Sequence, residues 1–124
     1  MEFLALVYGD PDTWERLSED ERSAAYQGYL DVSRDATAAG ALVDASELES
    51  TTAATSVRVR NGDTLVTDGP YAEVKESLGG YYLFSCDSLE DAIDWAAKIP
   101  AAWTGGAIEV RPVHVEAGEE EVAA

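Results

Sequence analysis

The sequence predicts an α+β domain of ferredoxin-like order, βαββαβ, with a β-hairpin inserted between its second and third strands. Three observations carry that expectation. Residues 2–8 and 80–86 are nearly continuous apolar runs of strand length. Two other segments keep the three-and-four apolar spacing of helices, and an Asn61-Gly62 pair lies among alternating residues. Elements follow one another as strand, helix, strand, hairpin, strand, helix, strand. Without the hairpin this is an antiparallel sheet with both helices on one face.

In residues 2–8 both alternating faces are apolar, with Phe3, Ala5 and Val7 on one and Leu4, Leu6 and Tyr8 on the other, as in a central strand covered on both sides. Gly9-Asp10-Pro11 makes a turn. Ser18-Glu19-Asp20-Glu21 then reads as a capping box, in which Ser18 and Glu21 satisfy each other's orphan backbone donors. The helix it opens runs to about residue 39, with Ala25, Tyr26, Tyr29, Val32, Ser33 and Ala36 on its apolar face and Gly40 as its left-handed stop. Residues 41–48 form a strand, and the small, polar residues 49–55 a loop. Asn61-Gly62 joins residues 56–60 to 63–67, because a primed turn needs positive φ at both central positions. Residues 80–86 supply the next strand. Asp87 and Ser88 open the second helix, which presents Leu89, Ala92, Ile93, Ala96 and Ile99 on one face, is flanked by Trp95 and stops at Pro100. A last strand at residues 107–115 alternates Ile108 and Val110 with Glu109 and Arg111. Residues 1–115 form one domain, and the acidic residues 116–124 are expected to be disordered. A sheet with helices on one side must solvate or cover the other. Tyr8, Tyr81, Tyr82 and Phe84 are too much apolar bulk for a wet face, so a homodimer that packs two sheets together is expected.

The 124 residues carry 8 Lys and Arg against 25 Asp and Glu, a net charge of −17. Phosphate backbones and anionic lipid surfaces repel such a chain, which excludes nucleic acid and membranes as partners. One cysteine, Cys86, excludes an internal disulfide and fits a reducing, cytoplasmic setting. The apolar run at residues 3–8 is too short for a signal or membrane segment. No calcium-loop spacing, zinc-type His/Glu pair or glycine-rich phosphate motif occurs, so neither a metal nor a cofactor is expected.

Residues 68–82 (D-G-P-Y-A-E-V-K-E-S-L-G-G-Y-Y) have no helix or strand period and concentrate ionisable groups between two glycine-containing turns. Asp68, Tyr71, Glu73, Lys75 and Glu76, with Arg111 on the last strand, are the candidate ligand-binding residues. Asp68 would brace the turn, Lys75 would pair a ligand anion or act as an acid, and Glu73 or Glu76 would set its charge state. The plainer alternative is that Lys75 pairs with Glu73 or Glu76 and fixes the loop. Gly79-Gly80 would allow close backbone approach. Arg58 and Arg60 fall on the solvent face of the hairpin, Cys86 reads as a small core residue, and Trp103 could wall a pocket.

The run D-G-P-Y-A-E-V-K-E resembles the DGPF branch of the YCII-related family, with Tyr71 where phenylalanine is usual. The likeness extends to Tyr8-Gly9-Asp10, the Asn61-Gly62 hairpin, residues 92–100 (A-I-D-W-A-A-K-I-P) and residues 109–113 (E-V-R-P-V). It implies a ferredoxin-like fold of the dimeric α/β-barrel group. Enzymatic relatives in the wider family, among them a dehydrochlorinase of chlorinated hydroquinones, are thought to use a His-Asp pair. The sole histidine here, His114, sits on the last strand beside the tail, so that pair does not carry over and a carboxylate or Lys75 would have to supply any acid-base step. Two functions follow as expectations: a small dimeric protein with a small-molecule pocket beside the 68–80 loop, catalytic or not; or a non-catalytic regulatory protein whose partner is linked to an extracytoplasmic-function sigma factor, as the resemblance implies.

Overall fold

The structure is a computed structural model, which describes residues 1–72 and 75–115. Its strands are β1 (Glu2–Gly9), β2 (Leu42–Glu47), β3 (Thr55–Arg60), β4 (Asp63–Asp68), β5 (Ser77–Ser85) and β6 (Ala107–Pro112). Its helices are α1 (Pro11–Arg16), α2 (Glu19–Ala38) and α3 (Leu89–Ala97), and single 3-10 turns occupy Thr51–Ala53 and Pro100–Ala102. The main sheet has the order β2-β5-β1-β6 with every neighbouring pair antiparallel. That is the ferredoxin-like arrangement. Strands β3 and β4 form a separate two-stranded sheet.

Capping fixes where the helices begin. The Ser18 hydroxyl accepts from the Glu21 N–H at 3.1 Å, and the Glu21 carboxylate accepts from the Ser18 N–H at 3.0 Å. That hydrogen bonding holds the Glu21 carboxyl below its ordinary value. Helix α1 stands where the sequence predicts only the Gly9-Asp10-Pro11 turn, and its signal is the Asp10-Pro11 step. Asp10 caps it by accepting from the Asp12 N–H at 2.9 Å, and Pro11 takes the first helical position, where a missing N–H costs nothing. The Arg22 side chain then donates to the Glu15 carbonyl at 2.6 Å and ties α1 to α2.

The core lies between α2, α3 and one face of the sheet: Ala5, Val7, Tyr82 and Phe84 from the strands, Val32 and Ala36 from α2, then Ile99 and Ala101. Phe84 is the hub, stacked on Tyr82 at 5.6 Å and on Trp95 at 6.1 Å between centroids. Both helix faces are narrower than their spacing suggested. Tyr26 points outward at 66% exposure, and Leu89 and Ile93 are each about half exposed because Trp95 fills the space against Phe84. Of the four aromatics expected on the uncovered face, Tyr82 and Phe84 turn inward instead. Tyr8 and Tyr81 do lie on the open side, with Leu4, Leu6 and Leu83, all half-buried, and the Tyr81 hydroxyl donates to Asp44 at 2.8 Å.

The Asn61-Gly62 turn has φ of 52° and 81°, the primed geometry that the pair foretold. Two boundaries differ from the reading above. Strand β5 starts at Ser77, so Ser77, Leu78 and Gly79 belong to the sheet and not to a loop. Strand β6 stops at Pro112. Of the two glycines, Gly80 is the one under a close backbone: a Cβ there would sit 2.8 Å from the Ser46 carbonyl oxygen, against 3.9 Å from the nearest atom at Gly79. The tail, residues 116–124, lies outside the described residues.

Candidate functional site

The segment 68–80 leaves the end of β4, turns at Gly69-Pro70 and re-enters the sheet along β1. Two hydrogen bonds close its start: the Gly69 N–H donates to the Ala54 carbonyl at 2.8 Å, and the Ser56 hydroxyl donates to the Gly69 carbonyl at 2.7 Å. Ser56 therefore braces this turn. Asp68, expected in that role, sits opposite Thr55 at the end of the hairpin with its side chain exposed.

The five candidate residues among the described ones, Asp68, Tyr71, Lys75, Glu76 and Arg111, do not converge. Tyr71 is 77% exposed and lies beneath the Arg58 guanidinium, 4.7 Å from carbon to ring centroid, so it belongs to the hairpin. The Lys75 ammonium stands 3.9 Å from an Asp10 carboxylate oxygen at the end of β1, with the lysine side chain 79% exposed and that of Asp10 only 11%. Glu76 is exposed and is not its partner, and Glu73 lies outside the described residues. Arg111 pairs along its own strand with Glu109, at 3.1 Å, on the open side of the sheet opposite Leu4 and Leu6. Both partners are well exposed, so this pair adds little stability. His114 follows β6 and is exposed.

What the segment does form is one wall of a groove. Pro70 and Leu78 face Leu48, Ala53 and Ala54 across a space of about 380 Å3, and the lining is mostly apolar. Leu78 is paired with Tyr8, whose strand ends at Gly9, one residue before Asp10, so the Lys75–Asp10 ion pair lies at the β1 end of the same loop. The groove was not legible in the sequence because most of its lining comes from residues 48–54, a stretch without period whose 3-10 turn is capped by the Ser50 hydroxyl. Asp10 was missed as a partner of Lys75, although its cap-and-proline signature was there to find.

A second, more open groove of about 470 Å3 borders Cys86, Asp87, Asp91, Asp94 and Trp95 on the helical side. The Lys98 ammonium is 4.5 Å from the centroid of the Trp95 ring. The Cys86 thiol donates to the Ser88 carbonyl at 3.6 Å, and partial burial, then the Asp91 charge, push its proton affinity up. Such a thiol is a packing group and not an activated nucleophile. Trp103 lies against Gly28 of α2 and borders neither groove. Among the described residues no three His, Cys, Asp or Glu side chains gather as a metal would require, and no helix is long and apolar enough to cross a membrane.

Two comparisons bear on this arrangement. A family model for the YCII-related domain matches residues 1–116. An uncharacterised protein of Rhizobium meliloti (strain 1021) is 38% identical over 114 residues, which cover 91% of this chain and 92% of that protein. With the ferredoxin-like sheet, the agreement over nearly the whole chain places this protein in the YCII-related family.

Proposed function

We propose that this protein is a cytoplasmic homodimer that binds a small molecule, largely apolar with one anionic end, in the groove walled by Pro70 and Leu78. The observation that carries this reading is the groove itself: Pro70 and Leu78 of the 68–80 segment wall it, and its volume lies within the usual ligand range of roughly 300–1,000 Å3. Lys75 at the loop's β1 end supplies a cation for the polar end of the ligand. Its side chain stands in water, the setting of a charge-pairing group and not of a desolvated acid or nucleophile, so the support is for binding more than for catalysis. Half-buried Leu4, Leu6, Tyr8 and Leu83 on the open side of the sheet support the dimer. The single cysteine supports a reducing compartment.

The alternative, a regulatory protein acting on a sigma-factor-linked partner, takes its support from the acidic surface, which would suit a basic face on that partner.

Native mass spectrometry of gently purified protein, paired with fluorescence titration of anilinonaphthalene sulfonate, an apolar anion, tests the first reading. The expected result is a dimer that takes up the probe with stoichiometric saturation. Leu78→Asp abolishes uptake and Lys75→Ala weakens it by about tenfold, the worth of one modest charge contact. A dimer whose probe binding is unaltered by either substitution, or that binds no probe and retains no added mass, overturns it.

A further inference from the structure

Among the described residues the β3–β4 hairpin is exposed along nearly its whole length, with the Tyr71 ring under Arg58 on one side. Val57, Val59 and Val66 share one side at 62, 69 and 64% exposure, and Leu65 on the other side is 43% exposed. No strand of the main sheet pairs with it, and the hydrogen bonds at Ala54, Ser56 and Gly69 close the base of the hairpin across itself. A two-stranded ribbon in water is at best marginal, and three adjacent exposed valines form a patch that a surface normally hides. The sequence nevertheless spends its strongest turn signal on this ribbon.

Charge and area indicate what covers it. Arg58 and Arg60 balance Asp63 and Asp68, so the hairpin is neutral and the entire net charge of −17 falls on the rest of the chain. It is thus a segment that another copy of this acidic protein does not repel, and Arg60 has no ion-pair partner among the described residues. The open side of the four-stranded sheet offers roughly 400 Å2 of plane, from ~4.8 Å between strands and about six residues per strand. An ordinary stable interface buries about 800 Å2 per partner. An arm of two six-residue strands, about 20 Å long, supplies the difference, and in a two-fold pair each copy gives one arm and receives one.

We propose that the hairpin is an intersubunit arm whose Val57, Val59 and Val66 face lies on a second copy of this chain. This rests on the homodimer reading above and adds where the contact is made. The test is hydrogen exchange on the wild-type protein at concentrations above and below its dimer dissociation constant, set by sedimentation. Exchange of the β3 and β4 amides is expected to slow by at least about tenfold in the dimer, and Val57→Asp/Val66→Asp to weaken association by a similar factor. A dimer whose hairpin exchanges equally fast at both concentrations overturns the arm and leaves the homodimer standing, with a foreign protein as the remaining occupant of the valine face. A chain that stays monomeric at every concentration overturns both. Because the exchange measurement uses the unaltered chain, the outcome does not depend on the variant folding.

Discussion

Single side chains set the start of α2 and respond to acid. The Glu21 carboxyl is held below the ordinary glutamate value of 4.5 by the Ser18 hydrogen bonds, so it favours the folded chain wherever it is ionised. A depressed folded value gives stability that is present above pH 4.5 and is lost as the pH falls through the folded value. Urea midpoints of wild type and Glu21→Gln should therefore differ at neutral pH and draw together below pH 4.5. A gap that is constant with pH would mean the charge plays no part. The phenols behave in the opposite sense: burial first, then neighbouring groups, raises Tyr29 and Tyr82 above 10.0, so their contribution is complete below pH 10 and is lost in alkali.

Between elements, the contact of α2 with the Pro100–Ala102 turn depends on a missing side chain. Gly28 lies mid-helix, where alanine would ordinarily add about 1 kcal/mol of helix propensity. A Cβ there would sit 2.8 Å from the Pro100 ring and 3.2 Å from the Trp103 indole, and Pro100 is fully buried and stiff. Overpacking of this kind costs ~1–3 kcal/mol, so Gly28→Ala should lower stability by about 1 kcal/mol net in chemical denaturation, against the propensity rule. An increase would show that the turn can shift. Elements of this kind were legible where local chemistry was strong: the capping box, Asn61-Gly62 and the β1 pattern each gave the right element. The helix faces were legible only in part, because three-and-four spacing permits several stripes and packing decides among them. Trp95 displaced Ile93 through its ring contact with Phe84, a choice made by shape. The candidate site was the least legible. All but Arg111 lie close together in the chain, yet Tyr71 goes to the hairpin, Lys75 to Asp10 and Arg111 to the open sheet, and the groove wall at residues 48–54 is polar and small in sequence.

For the molecule as a whole, the sheet separates a dry helical side from an open side with an apolar centre. Leu83 sits in that centre, cross-strand from Leu4 and Asp44. If the proposed homodimer packs on this side, Leu83→Asp should leave the helical core intact by circular dichroism while raising the dissociation constant at least ~100-fold, the effect of burying an unpaired charge at about 3 kcal/mol or more. Unchanged sedimentation of that variant would place the association elsewhere on the surface.

The pairing between β1 and β5 skips one residue: Val7 stands opposite Gly80, and Tyr8 opposite Leu78, leaving Gly79 over. Strict alternation would send Leu78 to the same side as Gly80, under the helices. The surplus glycine turns it out beside Tyr8, where it walls the groove. Chain length at this point is therefore slack. Removing Gly79 would straighten the ladder and still leave Leu78 opposite Tyr8, whereas removing Leu83 would make Tyr82 and Phe84 neighbours and send them to opposite faces of the sheet.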